Sequence, residues 1–264
     1  NLITGLTIMN TIISFITRAI THSAGLVAVC AAIFSLGAHA QTIISPEPTG
    51  TTYIVKPDYR KCAFPMCGGW FLTPVNQYSL QLQTEDEAYQ SAALLPNSIY
   101  VAYINYKRLG LTEKQIAELN SAIHSEQALL RGAVINSPIS GRVVTRTKTL
   151  VANGAWVGAN KNTPVGPYLK ISSTGIVCIT TPCPYFKAGL INSDYSSEFH
   201  DLSLEKAALD REQEAQAWQA ISTDGLVITG TTYVSTGFDE TGAEPGKGIG
   251  IAATKVFFAF PAKK

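Results

Sequence analysis

Four cysteines carry the most specific chemical pattern in the chain. Cys62 and Cys67 form one pair, Cys178 and Cys183 form another, and both pairs are part of a C-x4-C-x8-N pattern. Cysteines this close can form local disulfides, and closing such a six-residue ring contributes about 2 kcal/mol by the chain-entropy estimate. The two pairs could instead supply four thiolates to one structural zinc ion. A redox-active pair is disfavoured, because the catalytic motif is C-x-x-C.

Histidines are the other candidates for chemistry, and only His124 and His200 lie beyond residue 40. A hydrolytic dyad could pair His200 with Asp201 or His124 with Glu126, although adjacency in sequence does not supply hydrogen-bond geometry. The sequence has no G-x-S-x-G nucleophile motif and no H-E-x-x-H zinc motif. We therefore predict no catalytic, metal-binding or cofactor-binding residues, and no cofactor.

The first 40 residues have the pattern of a secretory signal peptide. Arg18 and His22 precede an apolar run from Ala24 to Leu36, which ends at the A-x-A site Ala38-His39-Ala40. The run is shorter than the roughly 20 residues that a membrane-spanning helix needs. We predict cleavage after residue 40, with residues 1–8 upstream of the true start, and a secreted or periplasmic protein without a membrane span. Cleavage also removes Cys30, which leaves an even number of cysteines, as disulfides require.

Charge and composition exclude some partners and leave others open. Residues 41–264 carry 19 basic and 19 acidic residues, so the sequence offers no basic face for a nucleic acid. The whole chain is 46% apolar, which is sufficient for a folded core. A cell-envelope component, a glycan or another protein remains a possible ligand. Trp70, Trp156 and Trp218 are the first candidates for stacking on a glycan, against the alternative that they pack in the core.

The same order of elements occurs twice along the chain. A short strand, a Cys loop, a strand, a helix and further strands follow one another in residues 41–162 and again in residues 163–264, with Asn160–Pro164 as the linker. This predicts an α+β protein of two β-rich lobes, each with one helix, that arose by duplication and can pack as a single domain.

The helices and strands have clear local signals. Thr112 and Gln115 form a capping box ahead of one helix, and Asp201 or Ser203 is the predicted cap of the other. Alternating β-branched and aromatic residues predict strands at Ile99–Ile104, Arg142–Thr147, Leu226–Val234 and Lys255–Phe260. The glycine-rich segment Gly237–Gly250 is interpreted as the connection of a long hairpin.

Two cysteine segments resemble an uncharacterised family of exported bacterial proteins. The first runs from Tyr59 to Trp70 and continues to Val75-Asn76, with the pattern C-x-x-P-x-C-G-G, and the second is the C-x-x-x-P-C-P segment Cys178–Pro184. The resemblance covers roughly residues 50–262. It implies export and the extent of the domain. The family has no assigned activity, so the resemblance implies no catalytic residue.

These features favour a disulfide-stabilised exported protein without enzymatic activity, which acts as a binding or cell-envelope component. One alternative is a secreted hydrolase with a site between the two halves. Another is a secreted protease inhibitor that presents a rigid proline-containing loop, although both rings look small for a protease cleft.

Overall fold

The Cys loops lie within a β-rich framework. The computed structural model describes residues 49–77, 98–139, 145–179, 182–236 and 247–261. The predicted signal peptide lies outside the described residues, as do residues 142–144 of the predicted strand Arg142–Thr147 and residues 237–246 of the predicted hairpin connection. The described residues belong to one compact unit, Pro46–Lys264.

Strands dominate the described part of the chain, and two helices accompany them. The strands are Thr51–Pro57 (β1), Trp70–Pro74 (β2), Ile99–Val101 (β3), Tyr103–Asn105 (β4), Ala128–Ile139 (β5), Thr145–Gly158 (β6), Tyr168–Ser173 (β7), Phe186–Leu190 (β8), Ser196–Phe199 (β9), Asp201–Ser203 (β10), Leu226–Thr236 (β11) and Lys247–Ala259 (β12). The helices are Glu113–His124 (α1) and Arg211–Ser222 (α2). The coarse prediction of a chain with both strands and helices is correct, with strands in the majority.

The first six strands form a closed circuit of hydrogen-bonded neighbours. β1 is antiparallel to β2 and β5, β2 pairs with β3, and β5 pairs with β6. β4 closes the circuit by pairing in parallel with β6. Only Ala102 separates β3 from β4, and its N–H donates to the carbonyl of Lys148 at 2.9 Å, so β3 and β4 act as one bent strand. The sequence had predicted this strand as continuous.

The last six strands pair in the same order. β7 is antiparallel to β8 and β11, β8 pairs with β9, β11 pairs with β12, and β10 runs parallel to β12. The pairing of β6 with β12 joins the two circuits, with Phe257 opposite Gly158 and Ala259 opposite Trp156. A small apolar cluster of Val75, Leu129, Val227 and Phe257 combines residues from both circuits.

Each helix packs on one circuit. The predicted box at Thr112 and Gln115 caps α1, whose buried Leu119 and Ile123 contact the core that contains Val55 and Leu72. Burying a side chain of this size contributes roughly 1.5–3 kcal/mol. α2 buries Ala217 and Ile221 in the equivalent cluster with Phe199 and Ile228.

The predicted cap of the second helix was wrong. Asp201 and Ser203 belong to β10, and Asp210 caps α2 through a box with Gln213. Ala208 has a φ of +50°, which a continuing right-handed helix cannot accommodate. The helix therefore begins after this residue.

A buried lysine also lies where residues of both circuits meet. Lys255 on β12 is 1% exposed, and its ammonium donates to the side-chain oxygen of Gln127 and to the carbonyl of Asn162, the latter at 2.7 Å. Burial lowers the pKa of this amine. Gln127 follows α1 and Asn162 is the last residue of the first half, so this side chain joins β12 to the first half of the chain.

Candidate functional site

Both Cys pairs are disulfide-bonded and close the loop between the first two strands of a circuit. The Cα atoms of Cys62 and Cys67 are 5.6 Å apart in the β1–β2 loop, and those of Cys178 and Cys183 are 5.8 Å apart in the β7–β8 loop. In each ring the second cysteine is buried, at 1% exposure. One backbone bond has the same place in both loops, because Asp58 N–H donates to the Gly69 carbonyl at 2.9 Å and Thr174 N–H to the Tyr185 carbonyl at 3.0 Å.

An ion pair anchors the first loop. The carboxylate of Asp58 has no exposed surface, and it accepts two bonds from the guanidinium of Arg60, both at 2.9 Å, and a third from the Arg60 N–H at 3.0 Å. Arg60 Nη2 also donates to the carbonyl of Met66 at 3.1 Å, inside the disulfide ring. The side-chain bonds from Arg60 lower the pKa of Asp58.

Two aromatic side chains also contact the same loop. The guanidinium of Arg60 lies 5.1 Å from the ring centroid of Phe71 and 5.3 Å from that of Tyr100, within cation–π range. The hydroxyl of Tyr100 donates to the carbonyl of Pro65 at 2.9 Å. Tyr100, Arg60 and the disulfide therefore hold three successive residues of this loop, which are Pro65, Met66 and Cys67.

We expect Asp58→Asn to lower the unfolding free energy at pH 7 by about 1 kcal/mol, a modest value because Arg60 is half-exposed and solvent weakens the pair. Because the pKa of Asp58 is lower in the folded than in the unfolded protein, its ionised carboxylate stabilises the folded state at pH values above the unfolded pKa of about 3.9. This stabilisation is lost as the pH falls through the pKa of the folded protein. The difference between the two proteins should therefore shrink below pH 4 in urea titrations. Asp194→Asn, at an exposed position, is the control, and an equal pH response of all three proteins would contradict the assignment.

Large apolar side chains project outward from this anchored loop. Tyr59 is 75% exposed, Phe64 51% and Met66 73%, and the ring of Phe64 stacks edge-on against Tyr103 of β4 with centroids 5.2 Å apart. Tyr103 is itself 45% exposed. We call these four side chains the loop surface.

The second loop also exposes apolar groups but has different anchors. Val177 is 90% exposed and Ile179 fully exposed. Thr174 takes the place of Asp58, and its hydroxyl donates to the carbonyl of Pro184 at 2.8 Å. Ile176 stands 116 residues after Arg60, so this loop lacks the guanidinium that ties the first loop together.

The asparagines of the two C-x4-C-x8-N patterns bond reciprocally across the chain. Asn76 Nδ2 donates to the carbonyls of Tyr168 and Ile191 at 2.7 and 2.9 Å, and Asn76 Oδ1 accepts from Tyr168 N–H at 2.8 Å. Asn192 Nδ2 donates to the carbonyls of Thr52 and Val75 at 2.8 and 3.0 Å, and Asn192 Oδ1 accepts from Thr52 N–H at 2.7 Å. We call this arrangement the asparagine clasp. The spacing singled out both residues but did not reveal their partners.

The two histidines lie in different circuits and have different contacts. His124 at the end of α1 contacts the Tyr59 hydroxyl through Nδ1 at 3.5 Å, and its ring lies 5.3 Å from that of Trp70. His200 precedes β10, and its Nδ1 accepts the N–H of Ile249 at 3.1 Å. Among the described residues the structure does not bring them together, and neither histidine contacts a carboxylate.

The three tryptophans differ in their surroundings. Trp70 is half-buried against the α1 core, Trp156 lies 5.0 Å from the guanidinium of Arg131, and Trp218 is 38% exposed beside Phe186. The most exposed aromatic rings of the first circuit are instead those of the loop surface. Sequence reasoning missed Tyr59, Phe64 and Tyr103 because it ranked residues by type rather than by the loop that carries them.

No group of three or more His, Cys, Asp or Glu residues is placed to hold a metal ion within the described ranges. Among the described residues, neither helix combines the length and the apolar composition that a membrane span requires.

Comparison with known proteins gives one result. No curated protein and no solved structure matches the chain. A family model described as a domain of unknown function matches residues 51–261, which span β1 through the end of β12 and include both disulfide loops and the asparagine clasp. The chain therefore belongs to the DUF6748 family of domains of unknown function.

Proposed function

We propose that this protein is an exported binding protein that contacts a cell-envelope ligand through the loop surface. The observation that carries this proposal is the combination of exposure and restraint in one loop. Tyr59, Phe64 and Met66 are each more than half exposed, yet the loop that carries them is held by the disulfide, Arg60 and Tyr100. Exposed apolar groups in a contiguous patch are typical of interaction sites, and a loop restrained before binding loses little entropy on binding.

Export is the second part of the proposal. The signal-peptide pattern of residues 1–40 supports it, and so do the two disulfides, which are characteristic of oxidising compartments. On this account the working protein comprises residues 41–264, outside the cytoplasm.

The proposal also includes an internal duplication, with halves at 41–162 and 163–264. Three features support it. Both circuits share one strand order, and both helices begin at a capping box. The residues of the asparagine clasp are also equivalent at a constant offset of 116 positions. The equivalent pairs are Asn76 and Asn192, Thr52 and Tyr168, and Val75 and Ile191. The halves then diverged in function, because only the first loop has Arg60 and the aromatic groups around it.

Retention on bacterial cell envelopes freed of cytoplasm tests this function. We expect wild-type protein to sediment with the envelopes and Phe64→Ser/Met66→Ser to bind about tenfold more weakly or worse, because each buried apolar side chain contributes more than the 1.4 kcal/mol that equals a tenfold change. Val177→Ser/Ile179→Ser is the matched control, since it removes two exposed apolar groups from the second loop. Equal retention of all three proteins, or no retention of the wild type, would contradict the proposal.

A further inference from the structure

A cleft adjoins the loop surface. It has a volume of about 510 Å³ and lies between β4, the turn that follows it, α1 and β6. Tyr103 lines the cleft and also contacts Phe64 of the disulfide loop, so the cleft and the loop surface are continuous. A volume of several hundred Å³ is the usual size of a small-ligand site.

The lining combines an aromatic face with polar groups. Leu111 and Ile116 are apolar members of the lining, while Asn105 and Thr149 are polar members. The Oδ1 of Asn105 accepts the N–H of Lys107 at 3.0 Å, and its amide nitrogen has no hydrogen bond among the described residues. A half-exposed tyrosine ring beside hydrogen-bonding groups suits a sugar, which presents both an apolar C–H face and hydroxyls.

The charge of the cleft narrows the class of sugar. Lys107 is the one charged residue in the lining, and it makes no ion pair with a carboxylate within the described part of the chain. An ammonium without an ion-pair partner in the protein favours a ligand that carries a carboxylate.

The topology of the first circuit gives a separate reason to expect a ligand beside the strand formed by β3 and β4. With β3 and β4 counted as one strand, the first circuit has the strand order first, second, third, fifth, fourth, with α1 between the third and fourth strands. This is the arrangement of OB-type barrels, which bind oligonucleotides and oligosaccharides with the loop between strands one and two and the face of strands two and three. Here that loop is the Cys62–Cys67 loop, and Tyr103 and Asn105 lie on the third strand. The balanced charge of residues 41–264 favours the saccharide.

We infer that this cleft binds an acidic saccharide, with a sugar ring on Tyr103 and the sugar carboxylate at Lys107. The inference rests on the proposed function, because it treats the loop surface as one wall of the same binding region. It adds the chemical class of the ligand and the residues that select it.

Titration calorimetry with uronate- and neuraminate-bearing oligosaccharides, each beside its neutral methyl ester, tests the inference. We expect at least one acidic oligosaccharide to bind about tenfold more tightly than its ester, since the neutral ester cannot form the charge-assisted hydrogen bond with the Lys107 ammonium. Lys107→Ala should lower the affinity for the acid to about that for its ester and so remove the preference, whereas Tyr103→Ala should weaken the binding of both and keep the preference. Lys114→Ala is the control, because this lysine is exposed on α1 and does not line the cleft.

The outcomes separate this inference from the proposed function. Equal affinity for acid and ester, no binding across the panel, or a preference that survives Lys107→Ala would overturn the saccharide assignment. If envelope retention still depends on Phe64 and Met66 in that case, the proposed function stands without it. If an acidic oligosaccharide binds through Lys107 while envelope retention ignores the loop variant, the cleft assignment stands and the loop-surface proposal fails.

Discussion

Asn76→Ala is expected to lower the free energy of unfolding by about 3 kcal/mol, and Asn192→Ala by a similar amount. Each side chain makes three hydrogen bonds to main-chain groups of the other half of the chain, and bonds of this kind contribute about 0.5–1.5 kcal/mol each. Both residues also have a left-handed backbone, with φ of +59° and +65°, which asparagine tolerates and alanine adopts at a cost of about 1 kcal/mol.

Urea unfolding followed by circular dichroism measures these changes. Asn76→Gly separates the two causes, because glycine removes the side chain but accepts the positive φ. We expect glycine to cost about 2 kcal/mol, roughly 1 kcal/mol less than alanine. A glycine variant as stable as the wild type would show that the clasp bonds contribute nothing.

Gly166→Ala is the second substitution with a large expected effect, about 3 kcal/mol or more. Gly166 has a φ of +92°, and a Cβ atom there would collide with the carbonyl oxygen of Gly230 on β11. Strain from the positive φ and overpacking against the main chain then add. Gly50 makes the equivalent approach to Gly132 with a φ of +142°, although its Cβ would lie 3.0 Å from the nearest main-chain atoms.

Gly175→Ala is the matched control for this prediction. Gly175 also has a positive φ, +72°, but no atom lies within 4 Å of the position that a Cβ would occupy. We expect it to cost only the backbone strain, about 1–2 kcal/mol. The urea midpoint should therefore be highest for Gly175→Ala, lower for Gly50→Ala and lowest for Gly166→Ala. If Gly166→Ala does not fold, Gly50→Ala can still be compared with Gly175→Ala. Equal losses at Gly166 and Gly175 would contradict the close approach.

The elements that could be predicted from sequence are those with local causes. The capping box at Thr112 and Gln115 involves residues three apart, so its signal is complete in the sequence. The cap of α2 was misplaced because Asp201, Ser203 and Asp210 are all acceptable caps. What decides among them is the parallel pairing of Asp201–Ser203 with Gly250–Ala252, which is distant in sequence.

The candidate site was only partly predictable for the same reason. Spacing identified the four cysteines and the two asparagines, but the bonds of Asn76 join residues about a hundred positions away. Exposure of Phe64 and Met66 was not foreseeable, because apolar residues are assigned to the core by default. It follows from a six-residue ring in which Cys67 is the one buried residue.

Oxidation of Met66 tests the central claim, that the loop surface is the part of the protein covered by its ligand. Met66 is 73% exposed and is the single methionine of residues 41–264, so its conversion to the sulfoxide can be read from the intact mass of that protein. We predict that dilute peroxide oxidises Met66 several-fold more slowly when the protein is bound to cell envelopes than when it is free. Bound protein whose Met66 is oxidised at the free rate would contradict the claim.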